Sequence, residues 1–272
     1  MSITHTGGGA RLGPITYLGN VRDTSSAETD PLYSDVILLL HADNETGQWV
    51  DHSPYAHVPT SVSATALTFD ATTKKYGASS LIQTNDGSAD YGIRYNTKTT
   101  QPEFHFGTNL FTIEWWMYEL PYTTAMATQG ILCGVHGGAT QNSWGVFISK
   151  SANAYTQFAF TYSTTSSNQF SPNLGLPPVT ENAWHHYAVV RTGSTTLKFF
   201  VDGTQYGSDV TLGGSTIYGG STRRFIVGAF SSNGSTYASG GLFTRNIDDL
   251  RITSGARYTT DFTPPSSPFP NS

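Results

Sequence analysis

The stretch Trp184-His185-His186-Tyr187-Ala188-Val189-Val190-Arg191, followed by Leu197-Lys198-Phe199-Phe200-Val201-Asp202-Gly203, constrains this chain more than any other. Read at a period of two, each half puts apolar side chains on one side of a pleated ribbon, and Gly193 to Thr196 supplies the reversal between them. That pattern predicts a β-hairpin. Asp202-Gly203 is a favoured tight-turn pair, so a third extended run over 205–210 is expected to follow.

From Val36 onward, short apolar runs alternate with turn residues almost without a break, and no stretch carries a sustained helical period. Strands are expected at 36–41, 66–70, 79–83, 90–95, 111–119, 130–136, 144–149, 155–162, 184–192, 196–202, 205–210, 223–229 and 242–252. A short helical turn is expected over Gly255 to Thr259. So dense a succession fits an all-β jelly-roll sandwich of two antiparallel sheets, with polar residues alternating outward. The 272 residues accommodate one such domain plus an arm.

Residues 1–34 read differently from the rest. They hold Gly7-Gly8-Gly9, Pro14, Gly19, a polar run from Asp23 to Asp30 and then Pro31, with too few apolar side chains to form a core. The expected division is an extended arm over 1–34 and a sandwich over 35–272. Ile15, Tyr17, Leu18 and Val21 are the arm residues suited to anchoring on a partner, by strand addition.

Charged residues are 12% of the chain, about half the usual share, so its surface acts mainly through hydroxyls, amides and rings. With a net charge of −5 and no basic cluster longer than Lys74-Lys75 or Arg223-Arg224, a nucleic-acid partner is not expected. The longest apolar run, Val36 to Leu40, is far too short for membrane insertion. The first twenty residues lack the basic start and apolar centre of a signal peptide, so synthesis in a cytoplasm is expected. Cys133, alone and within an apolar run, reads as a buried thiol.

Four stretches carry a family resemblance. They are KYGASSLIQTNDGSADYGIRY from Lys74, FTIEWWMYE from Phe111, WHHYAVVR with LKFFVDGT from Trp184, and IDDLRITSGARYTTDFTPPSSPFP from Ile247. Together, over roughly Val36 to Pro270, they resemble a laminin-G-like module of the concanavalin A-like lectin and glucanase superfamily. The last stretch is most similar to versions in tailed-bacteriophage virion proteins. The resemblance implies a non-enzymatic display protein of a phage capsid or tail, located on the virion. It would be held to other virion proteins by its arm, turn its loops toward host glycans, and assemble as a homo-oligomer. A calcium-dependent carbohydrate-binding module of a bacterial protein is the alternative, and a divergent glycoside hydrolase a weaker one.

The candidate chemistry follows from residue type and spacing. A retaining glycosidase of this fold needs two carboxylates about 5 Å apart on one face of a strand. Glu114 and Glu119 are five positions apart, which puts them on opposite faces, and Trp116 stands where an intervening Asp would be. His185 and His186 are neighbours and cannot ligate one ion together. Calcium is possible as a cofactor because some relatives bind it, and Asp43, Asp51 and Asp248 are the candidate ligands. For carbohydrate, the loop aromatics Trp49, Tyr55, Tyr122 and Tyr237 could stack on sugar faces. Trp115, Trp116, Trp144 and Trp184 lie in strands, where burial with a bonded indole N–H is expected.

Overall fold

The computed structural model describes residues 29–45, 49–61, 67–83, 92–95, 102–121, 129–136, 142–151, 154–178, 180–219, 224–228, 230–231, 237–238 and 245–272. Its first half contains β1 (Val36–Leu40), β2 (Pro59–Ser61), β3 (Leu67–Asp70), β4 (Ser80–Gln83), β5 (Ile93–Tyr95) and β6 (Phe111–Glu119). Next come β7 (Gln129–His136), β8 (Asn142–Ser151), β9 (Ala154–Tyr162), β10 (Trp184–Arg191), β11 (Thr196–Val201) and β12 (Thr204–Gln205). The chain closes with β13 (Val210–Thr211), β14 (Arg224–Val227), β15 (Phe230–Ser231), β16 (Tyr237–Ala238) and β17 (Arg245–Thr253).

Among the described residues the larger sheet runs β12-β11-β10-β6-β17-β4-β3, with β1 also paired to β17 and β13 to β11. The smaller runs β2-β5-β14-β7-β8-β9, and the pairings between these strands are antiparallel. The fold class is therefore the expected two-sheet sandwich. The predicted hairpin is β10–β11, in register from Tyr187↔Val201 to Arg191↔Leu197. Asp202 and Gly203, at φ 49° and 78°, make the turn after it.

Alternation sorts the side chains. Phe111, Ile113, Trp115 and Met117 of β6, Tyr187 and Val189 of β10, and Ile247 and Ile252 of β17 enter the interior. There they meet Trp144, Val146, Phe158, Phe160 and Phe225 from the smaller sheet. Aromatic rings fill much of the space, with Phe104 stacked on Phe225 at 4.0 Å and Phe106 on Trp144 at 4.7 Å. Trp144 donates its indole N–H to the Phe104 carbonyl at 2.7 Å. Cys133 is fully buried, which pushes its thiol pKa up and keeps it protonated.

Arg191, at the end of the opening motif, is buried without a carboxylate. It donates instead to the carbonyls of Gly107, Asn109, Gly193, Ser194 and Ser215, so one planar guanidinium ties three loops together.

Three expectations need correction. The run over 205–210 breaks into β12 and β13, because Gly207 turns the chain at φ 77°. Gly255 to Thr259 forms bends rather than a helical turn, held by Thr112 Oγ1, which donates to the Gly255 carbonyl and accepts from the Arg257 N–H. β2 escaped the pattern, being three residues with Pro59 among them. Near the end of the expected arm, Asp30 is buried, its carboxylate pairs with Arg251 and Arg257, and its N–H bonds the Ser272 carbonyl at 2.8 Å.

Candidate functional site

The loop between β1 and β2 is organised by one carboxylate. Asp51 is buried and accepts the N–H groups of Leu39, Ser53 and His57, each at 2.9 Å, together with the Ser53 hydroxyl. Its Oδ2 also lies 2.6 Å from His57 Nδ1, and the opposite ring nitrogen of His57 lies 2.9 Å from Glu103 Oε1. Burial alone would lower the pKa of this imidazole, but the two carboxylates outweigh it and push it up to about 9. His57 is thus an imidazolium at neutral pH. Burial raises and the His57 bond lowers the Asp51 carboxyl, for a net shift below its ordinary value.

Above this clamp the chain turns through Ala56 at φ 45°, and the Tyr55 ring lies on the imidazolium at 5.4 Å and 7° between planes. Tyr55 is 52% exposed, and Val58, in the same loop, is 62% exposed. Half of an aromatic ring therefore faces solvent, with its tilt fixed from below by a charged partner.

The other expected sugar-facing residues fare differently. Trp49 is corrected from a surface ring to a core one: it is 6% exposed and stacks on Phe69 at 3.9 Å. Tyr122 lies outside the described residues, as do Ile15, Tyr17, Leu18 and Val21, while Tyr237 pairs with Ser231 in β16.

The three candidate calcium ligands serve separate loops. Asp43 accepts the N–H groups of Ala78 and Ser79, and a Cβ at Gly77, where φ is +56°, would fall 2.0 Å from its carboxylate. Asp248 accepts from the N–H groups of Lys75, Tyr76 and Asp249, yet burial and the neighbouring Asp249 charge push it up to about 7. Asp51 is committed as above. Among the described residues no three His, Cys, Asp or Glu side chains form a group that could hold a metal ion.

Glu114 and Glu119 point to opposite faces, as alternation requires. Glu119 faces inward, 2.5 Å from the Tyr155 hydroxyl and 3.2 Å from Lys150 Nζ across the two sheets. Glu114 faces outward beneath residues 254–272, which strap across the larger sheet. Arg251 donates to it at 2.9 Å, the Tyr258 hydroxyl at 2.8 Å, and His186 Nε2 lies 3.3 Å away. Burial would raise its carboxyl, but the Arg251 charge and then His186 hold it at about 2. The histidine pair splits likewise, His185 turning to Asp202 at 2.6 Å while His186 is fully buried. The His57–Glu103 arm of the clamp and the Asp30–Arg251–Glu114 network were not foreseen. Only the recurrence of His and Asp in DHSPYAH hinted at the first.

Comparison with known proteins agrees with this geometry. A family model described as the Concanavalin A-like lectin/glucanases superfamily, of the laminin G type, matches residues 94–261. No curated protein sequence matches. Among solved structures, the binding domain of Paraclostridial Mosquitocidal Protein 1 superposes with a TM-score of 0.57 at 11% identity, covering 84% of this chain and 50% of that one. The botulinum neurotoxin serotype D binding domain gives 0.56 at 10%, with the same coverages. The binding domain of Botulinum Neurotoxin DC, solved in complex with SialylT, gives 0.55 at 13%, covering 83% and 49%. The chain spans about half the length of these structures, and at such identities the likeness concerns the fold.

Proposed function

Because this chain belongs to the laminin G type of the concanavalin A-like lectin/glucanases superfamily, we propose that it is a non-enzymatic, lectin-like binding module that receives a glycan on the Tyr55 ring. One observation carries this: an aromatic ring, 52% exposed, lies on His57, which is held by a buried carboxylate that also ties the loop to strand β1. A sugar ring gains from stacking only if the platform loses little freedom on binding, and the clamp removes that freedom beforehand. The Tyr55 hydroxyl adds a polar tip for a sugar hydroxyl. The Botulinum Neurotoxin DC binding domain, about half of whose length this chain matches in fold, was solved in complex with SialylT.

The wider setting in this proposal is a tailed-phage particle, on which residues 1–28 fix the module and the β1–β2 loop faces the host. The resemblance of residues 247–270 to phage virion proteins supports it. So does the anchoring of Asp30 on Arg251 and Arg257, which ties any pull on the preceding segment to the central strand β17.

Titration of neutral oligosaccharides by calorimetry, with wild type and Tyr55→Ala side by side, tests the binding role. Binding that disappears in Tyr55→Ala and survives in Tyr55→Phe is expected. Unaltered binding by Tyr55→Ala removes this loop from consideration. Deleting residues 1–28 should abolish incorporation into particles while leaving the melting temperature of the sandwich unchanged, and normal incorporation would refute the anchor.

A further inference from the structure

On the outer face of the larger sheet, away from the Tyr55 loop, two rows of side chains stand beyond the C-terminal strap. Trp184 of β10 pairs directly with Tyr118 of β6, and their rings meet at 5.5 Å with 53° between planes. One step along the same strands, roughly 7 Å away, His186 pairs with Trp116 at 5.2 Å. Strap rings reach His186, Phe262 at 5.7 Å and Phe269 at 6.4 Å, but among the described residues none touches Tyr118 or Trp184. Those two rings are partly exposed.

Lys75 completes the arrangement. Its ammonium sits 3.9 Å from the centre of the Trp116 ring and 5.5 Å from that of Tyr76, and among the described residues no carboxylate lies within ion-pair distance of it. Asp248 fixes the loop by accepting the Lys75 N–H at 2.8 Å. Trp116 is 5% exposed, and its indole N–H is buried without an acceptor.

Partly exposed rings on a rigid strand pair and, beside them, a half-buried cation with no anion among the described residues share one complement. We propose that this face is a second subsite, for a pyranose that carries a carboxylate, as uronic and nonulosonic acids do. The sugar ring packs on Trp184 and Tyr118, and its carboxylate meets Lys75. Charge complementarity selects this occupant over a neutral sugar. The inference rests on the proposed glycan-binding role but not on Tyr55.

The test uses the full chain with trigalacturonate, its methyl ester and a sialic acid trimer, read by tryptophan fluorescence and calorimetry. Galacturonate or sialate should bind about tenfold more tightly than the uncharged ester, since an ion-assisted hydrogen bond is lost with the charge. Lys75→Gln should bring the acid down to the level of the ester without moving the melting temperature. Trp184→Leu should weaken both, and Tyr55→Ala neither. Whichever acid binds names the source. Equal binding of acid and ester, or an unchanged preference in Lys75→Gln, would overturn the subsite. If neutral sugars still bind through Tyr55 in that case, the first site stands; silence toward every sugar removes both.

Discussion

Two networks of carboxylate and cation lie on opposite sides of β1 and β17, and they resemble each other in chemistry but not in surroundings. Asp51 and Glu103 hold His57, and above them a ring faces water. Glu114 and Asp30 hold Arg251 and Arg257, and above them lie the strap and its rings, with Arg251 stacked 3.7 Å from Phe269. Buried charge is thus a poor guide to function in this fold. What separates a presenting clamp from an internal rivet is whether the group resting on it is left open.

The rivet should be the costlier to break. Glu114→Ala takes one of its two carboxylates from the buried Arg251 and leaves it Asp30 alone, and such a loss is worth about 3 kcal/mol. Urea unfolding should show it. A loss below about 1 kcal/mol would mean that water or the strap replaces the carboxylate, and the contrast with Asp51 would have to be withdrawn.

Titration should separate the two networks as well. His57 rises from 6.5 to about 9 on folding, so its contribution is complete below pH 6.5 and is lost as pH climbs through 9. A shift of this size corresponds to roughly 3 kcal/mol. Glu114 falls from 4.5 to about 2, so its share is present above pH 4.5 and is lost as pH drops toward 2. Stability measured against pH should decline on both sides. His57→Gln should flatten the alkaline slope, with a smaller loss on the acid side because Asp51 and Glu103 lose the partner that lowers them, and an unchanged alkaline slope would show that His57 is neutral in the folded state.

The clamp itself is expected to rank next. Asp51→Asn keeps one acceptor but presents an amide N–H to His57, so two or more bonds are lost at about 1 kcal/mol each. The sheets should persist while Tyr55 loses its fixed tilt, seen as a rise in amide exchange confined to residues 51–58.

The sheets were legible because period-two alternation is local: WHHYAVVR and FTIEWWMYE announce their own faces, and the opposed placement of Glu114 and Glu119 follows from counting. The networks were not. Arg251 reaches Glu114 across 137 positions and Asp30 across 221, and nothing near either residue signals the partner. Trp49 and Tyr55 look alike as loop aromatics, yet Phe69 claims one and solvent the other. Trp184 shows the reverse error, since a strand residue at the uncovered end of a sheet face is not buried. Asp51 was marked as a metal ligand for its carboxylate, and the same oxygens prove to be committed to backbone N–H groups. Local chemistry identified the residue, but only the tertiary neighbourhood decided its use.

The smallest expected effect on stability is the most telling. Tyr55→Ala removes a ring that is already half in water and leaves all five bonds of Asp51 in place, so unfolding should change by less than about 0.5 kcal/mol. In a domain of this size that is a shift of about 2 °C or less in melting temperature. If the ring were a structural cap over His57, its loss would admit water to the imidazolium and cost stability comparable to Asp51→Asn. A large drop in melting temperature would therefore make the β1–β2 loop a second rivet rather than a platform. A negligible drop, combined with lost sugar binding, leaves presentation as the remaining reason for a ring held so firmly with half its surface in solvent.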